Sequence, residues 1–374
     1  MKNRGKRKNS PGFGVMAVML VIGVLGGILM TVYLGSVFEE YGLLLSLAFK
    51  LAIFLLCYYF QLIIHELGHL VAGLISGYGF GSFRIGSIML VKRDGRLTVK
   101  RQSVAGTGGQ CLMVPPPMVD GKIPVVFYNL GGVLMNFLTL PVCVLLLAST
   151  IGRPCAMTFC VMMFFAGFII VLTNGIPLKL GMVNNDGSNA RELRKNREAM
   201  RVFHNQFMCI HELGNGKRLK EMPEEWFFMP SEQGMKNSIA ASGAVFRENR
   251  LMDEGGYDEA LELINRLLAS DTALVGLYKN LLICDKITLL LLRSESEGFI
   301  GEVLGDKNFQ VFLKQMKGNP SVVRTRYAVA LLLDRDAQLS ATLKEEFERC
   351  ARVHPYAPDI ESERELIALI EAKN

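Results

Sequence analysis

The sequence predicts an α-helical polytopic membrane protein of about four transmembrane helices with a small membrane-associated β-hairpin, followed by an all-α cytosolic domain. Two observations lead there. Half of the 374 residues are hydrophobic while a fifth are charged, and the long apolar runs lie almost wholly in the first 180 or so positions, so membrane and soluble parts follow one another. Within one of those runs stands His65-Glu66-Leu67-Gly68-His69, a polar group where ionisable side chains are costly and are kept for function. The expected division is a transmembrane domain over 1–190 and a cytosolic helical domain over 191–374.

Residues 1–11 are basic, and Phe13 to Val37 is uncharged. That run is too long for the core of a cleaved signal and no small-residue cleavage site follows, so it reads as a signal anchor with a cytosolic N-terminus. Glu39 and Glu40 mark an outer turn. A second span begins near Leu43 and runs inward to about Ser76; at about 1.5 Å per residue His65 lies about 33 Å along it, near the cytosolic side.

Between Gly77 and Ile123 the pattern becomes strand-like. The run 83–91, the dipeptide Asp94-Gly95 and the run 97–99 form a hairpin signal, and the glycines at 106–109 and prolines at 115–117 read as turns. No Lys-Ser/Thr follows those glycines, which excludes a phosphate loop. The hairpin offers strand edges to which an extended substrate segment could add. A third span covers Pro124 to Ser149 and a fourth Ala156 to about Ile176, ended by Asn174-Gly175-Ile176-Pro177. Four spans return the chain to the cytosol, giving a multi-pass cell-membrane protein with both termini cytosolic.

On a helix His65 and His69 share one face and can present two imidazoles to one metal ion. Glu66 sits about 100° round the helix, poorly placed as a third ligand of that face and well placed to act as general base on a water, as in H-E-x-x-H hydrolases. Asp186, after the fourth span and on the same side of the membrane as His65, is a candidate third ligand; a helix-cap or turn aspartate is its plain alternative.

These residues resemble the site-2 protease family of intramembrane zinc metalloproteases. The resemblance covers about 40–190 and rests on His65-Glu66-Leu67-Gly68-His69, on Gly131-Gly132-Val133-Leu134-Met135-Asn136, and on Asn174-Gly175-Ile176-Pro177 with Asp186-Gly187. It implies that His65, His69 and Asp186 bind Zn2+, that Glu66 activates the water, and that Asn174 and Asn136 hold substrate or oxyanion. Asp186 stands four residues further from Asn174 than the family spacing, and Val133 replaces a usual proline. No PDZ-like insertion is visible, as in a compact branch of the family. The implied activity is hydrolysis of a peptide bond in a membrane-spanning protein or peptide near the cytosolic face; the alternative is a non-catalytic membrane scaffold with a structural zinc site.

From Ser188 onward the pattern is helical. Residues 256–264 resemble the second helix of a tetratricopeptide (TPR) unit, and Asn319-Pro320 and His354-Pro355 fall near that repeat's period of about 34 residues, so a TPR-like array is expected, with a generic helical bundle as the alternative, its role being to bind a protein partner or to regulate the membrane domain. The formal charge of +6 requires no nucleic acid, because many of the basic residues flank membrane spans. The eight cysteines form no C-x-x-C pair and read as buried thiols.

Overall fold

The structure, a computed structural model, describes residues 20, 21, 23–26, 28, 34, 37 and 39–374, apart from 94, 95, 103, 105, 106, 178–182, 195 and 296. The expected first span, 13–37, and the Asp94-Gly95 turn therefore lie largely or wholly outside the described residues. Three of the described helices are long and apolar enough to cross a membrane: α1 (Leu43–Ile75), α2 (Val125–Ser149) and α3 (Pro154–Gly175). Their ends follow local chemistry. Pro154 occupies the first turn of α3, where a missing N–H costs nothing, and Pro177 follows the end of α3.

The expected hairpin is part of a four-stranded antiparallel sheet of β1 (Gly79–Ile85), β2 (Ile88–Arg93), β3 (Arg96–Arg101) and β4 (Gly109–Val114), in the order β3-β2-β1-β4. The run 83–91, expected as one strand, is two. Gly86 adopts φ +59°, a left-handed conformation favoured by glycine, and folds the chain so that Ile85 pairs with Ile88. Gly109, expected in a turn, opens β4 instead, pairing with Ile85. The edges of the sheet are β3 and β4.

The remaining helices are α4 (Asp186–Leu193), α5 (Arg197–Gly214), α6 (Ser238–Glu254), α7 (Tyr257–Ala269), α8 (Gly276–Arg293), α9 (Glu297–Gly305), α10 (Lys307–Gln315), α11 (Pro320–Ala328), α12 (Ala337–Val353) and α13 (Ala357–Lys373), with a π-helical turn over Val329–Leu333. The chain forms two compact units. One holds α1 as far as His69, α2 from Asn129, α3 and Asn184–Asn189; the other holds Leu70–Tyr128 and Ala190–Asn374. The sheet, expected with the membrane domain, thus belongs to the same unit as the C-terminal helices. The alternation of β2 explains this: Met89 and Val91 point to one face and need an apolar cover, which Cys209, Leu213, Phe227 and Tyr356 supply. In the C-terminal helices α6 packs on α7, α7 on α8, α8 on α11, and α11 on α12 and α13, around a core that includes Ile264, Ile287, Val323, Phe347 and Ile370.

Candidate metal centre

The centre lies wholly within the first unit. His65 and His69, 4 % and 8 % exposed, project from one face of α1 with their rings edge to face, centroids 4.8 Å apart. Their Nε2 atoms are 3.2 Å apart. Asp186 comes from the first turn of α4, and its neighbour Asn185 sets its position. The Asn185 Oδ1 accepts from the Ser188 N–H at 3.0 Å, capping α4, while its Nδ2 donates to the carbonyls of Thr173 at 2.7 Å and Ile176 at 2.6 Å. This staples the start of α4 to the end of α3. Gly187 lies against the Gly175 carbonyl, where a side chain would collide with backbone.

The result is a triangle. Asp186 Oδ2 lies 2.9 Å from Nε2 of His65 and 3.3 Å from Nε2 of His69, with hydrogen-bond geometry to neither. The protonation of His65 follows from its other partner. Asn136 Nδ2 faces the backbone carbonyl of Gln61 at 2.9 Å, which can only accept, so its Oδ1 is the atom facing His65 Nδ1 at 2.6 Å. His65 therefore donates from Nδ1, and its Nε2 faces the Asp186 oxygen.

Two imidazoles and a carboxylate converging at such distances can share a cation between them. Tetrahedral coordination with bonds of about 2.0–2.1 Å separates neighbouring ligand atoms by about 3.3–3.4 Å, and the three observed edges of 2.9, 3.2 and 3.3 Å come close to this. His65, His69 and Asp186 are thus a group able to hold a metal ion, and two imidazoles with one carboxylate suit a first-row divalent cation. No family model, curated protein or solved structure matches this chain.

The glycines of α1 and α2 shape the site. A Cβ on Gly132 would stand 2.6 Å from both His65 Cε1 and His69 Nε2, and one on Gly68 would strike the Gly131 carbonyl and approach Met135 Cβ at 2.7 Å. Small residues here let the two helices approach closely, with the rings filling the space beside Gly132.

Glu66 is 5 % exposed on α1, next to His65 in the chain. Asn136 meets His65, but both ends of its amide are engaged, with His65 and with Gln61. Asn174 donates to the Ile170 carbonyl of its own helix at 3.3 Å, and no contact among the described residues ties its side chain to the triad. Two residues passed over in the sequence matter here, Gln61 and Asn185. Gln61 lies one turn before His65 on the same face, a spacing signal that its lack of charge concealed; Asn185 is a cap-type residue immediately before a helix start.

Proposed function

We propose that this chain is an intramembrane zinc endopeptidase, similar to the site-2 proteases, that hydrolyses a peptide bond in a membrane-embedded segment near the cytosolic face. One observation carries the reading: a triangle of two buried imidazoles on an apolar helix and a part-buried carboxylate, with a buried glutamate adjacent to one ligand in the chain. Zinc held there would supply Lewis acidity to a water molecule and to a peptide carbonyl. His65 and His69 bind through Nε2, with Asn136 holding the His65 ring, and Asp186 completes the protein ligands. Glu66 takes the proton of the attacking water and returns it to the leaving amine.

In this reading α1, α2 and α3 are the last three of four spans, the protein is multi-pass in the cell membrane, and both termini are cytosolic. The C-terminal helices work as a TPR-like array, its paired helices binding a protein partner. The substrate is a membrane-spanning protein or peptide.

Glu66→Gln tests the proposal. The variant should bind zinc as the wild type does and leave a set of membrane proteins uncleaved when membrane proteomes of cells carrying either form are compared. Identical proteomes together with full cellular function of Glu66→Gln would instead favour a scaffold with a structural zinc site.

A further inference from the structure

A fully buried amide links all three long apolar helices to the ligand triangle. Gln61, on α1, is 0 % exposed. Its Nε2 donates to the Met163 carbonyl of α3 at 3.0 Å and to Thr139 Oγ1 of α2 at 3.0 Å, and its Oε1 accepts from Asn136 Nδ2 at 2.8 Å. The Met163 carbonyl can only accept, so this orientation of the Gln61 amide is settled by its surroundings, as that of Asn136 is. The chain of hydrogen bonds therefore has one direction, with Gln61 fixing Asn136 and Asn136 taking the Nδ1 proton of His65 at 2.6 Å. Helix α3 leaves room for it: a Cβ on Gly167 would stand 2.8 Å from Gln61 Nε2 and 3.0 Å from its Cδ.

In an apolar bundle, a neutral amide that uses both its donor and acceptor groups is more than a helix tie, because its net contribution to association is modest. Its distinctive effect falls on His65. Without Gln61 Oε1, Asn136 keeps the Gln61 backbone carbonyl as the one partner for its Nδ2 and is held less firmly. Its Oδ1 then selects less strictly the Nδ1–H tautomer that leaves Nε2 able to bind metal. From this geometry we infer that Gln61 is a positioning residue for the metal ligand His65, acting through Asn136, and that it makes metal affinity depend on the docking of α3. The inference rests on the reading of His65 as a metal ligand.

The experiment measures zinc affinity of the full-length protein in detergent by competition with a chromophoric chelator, and records the visible spectrum of the Co2+-loaded form. Gln61→Leu and Asn136→Leu should each bind zinc about 10–100-fold more weakly, the range found when partners of metal-binding histidines are removed, and should alter the Co2+ spectrum. Gln61→Glu keeps an acceptor for Asn136 and Asn136→Asp keeps one for His65, so both should bind zinc more tightly than the leucine variants. A merely structural role reverses this order for Gln61, because a buried carboxyl is worse tolerated than leucine. Should Gln61→Glu fail to fold, the Asn136 pair decides alone. Wild-type affinity and spectrum in Gln61→Leu, or Asn136→Asp binding no better than Asn136→Leu, overturns the inference. His65→Ala separates the two levels: if it binds zinc as tightly as wild type the metal reading itself fails, whereas if it loses zinc and Gln61→Leu does not, only the positioning role fails.

Discussion

Replacing Gly132 with alanine should damage metal binding about as much as folding. The new methyl would lie 2.6 Å from His65 Cε1 and from His69 Nε2. An ordinary carbon contact begins near 3.4 Å, so the rings must retreat by about 0.8 Å, several times the ~0.2 Å tolerance of a metal–ligand bond. Moving α2 away instead would open the close packing of Gly68 on the Gly131 backbone and forfeit its dispersion contacts. Overpacking of this kind costs about 1–3 kcal/mol of stability, whereas a displaced ligand pair should weaken zinc binding about 10–100-fold, or ~1.4–2.8 kcal/mol of affinity. The assay is chelator competition on detergent-purified protein with a parallel thermal unfolding curve, and Leu134→Ala, at an exposed position of the same helix, serves as control. Affinity within about threefold of wild type, under ~0.7 kcal/mol, would refute the claim that the rings occupy the space beside Gly132.

Asn185→Ala removes a helix cap and two stapling hydrogen bonds; a loss of about 1–2 kcal/mol in stability should accompany weaker zinc binding, and an unchanged chelator titration would show that Asp186 is held by something else. Glu248 is fully buried, and burial, followed by Asp285 and then Glu363, pushes its carboxyl well above the usual range against the opposing Arg324. A carboxyl raised in this way costs nothing below its unfolded value of about 4.5, and stability falls as pH rises from there towards the folded value. Glu248→Gln should therefore flatten the decline in unfolding midpoint between pH 5 and pH 8, and equal slopes in the two proteins would contradict it. Arg324, 1 % exposed, pairs with Asp285 and, at 3.0 Å, with Glu363. Arg324→Leu strands buried carboxylates and should cost about 3–5 kcal/mol in denaturant unfolding, a loss below ~1 kcal/mol counting against the pairing.

The helices were legible where composition and punctuation act locally. The apolar runs and the prolines at 124, 154 and 177 bound α1, α2 and α3 to within a residue or two of their observed ends, and the i, i+4 spacing of His65 and His69 placed both rings on one face. The β2–β3 pairing was readable from its turn signal. The β1–β4 pairing was not, because it joins Gly79 to Val114 across a long stretch of chain and leaves no local periodicity. Asp186 was found through motif order in spite of its shifted spacing. Asn185 grips Thr173 and Ile176 directly, which holds the start of α4 at the end of α3. Gln61 was not legible, because a neutral amide in an apolar run differs little from its neighbours until its partners are known.

The close seam at Gly68 and Gly131 divides the three ligands into two kinds. Two backbones pressed together with no room for even a methyl group brace the helix that carries both histidines. The ligand borne by neither of the seam's helices is Asp186, hooked to the end of α3 by one asparagine. The imidazoles therefore stand on a doubly supported frame, while the place of the carboxylate hangs on a single side chain.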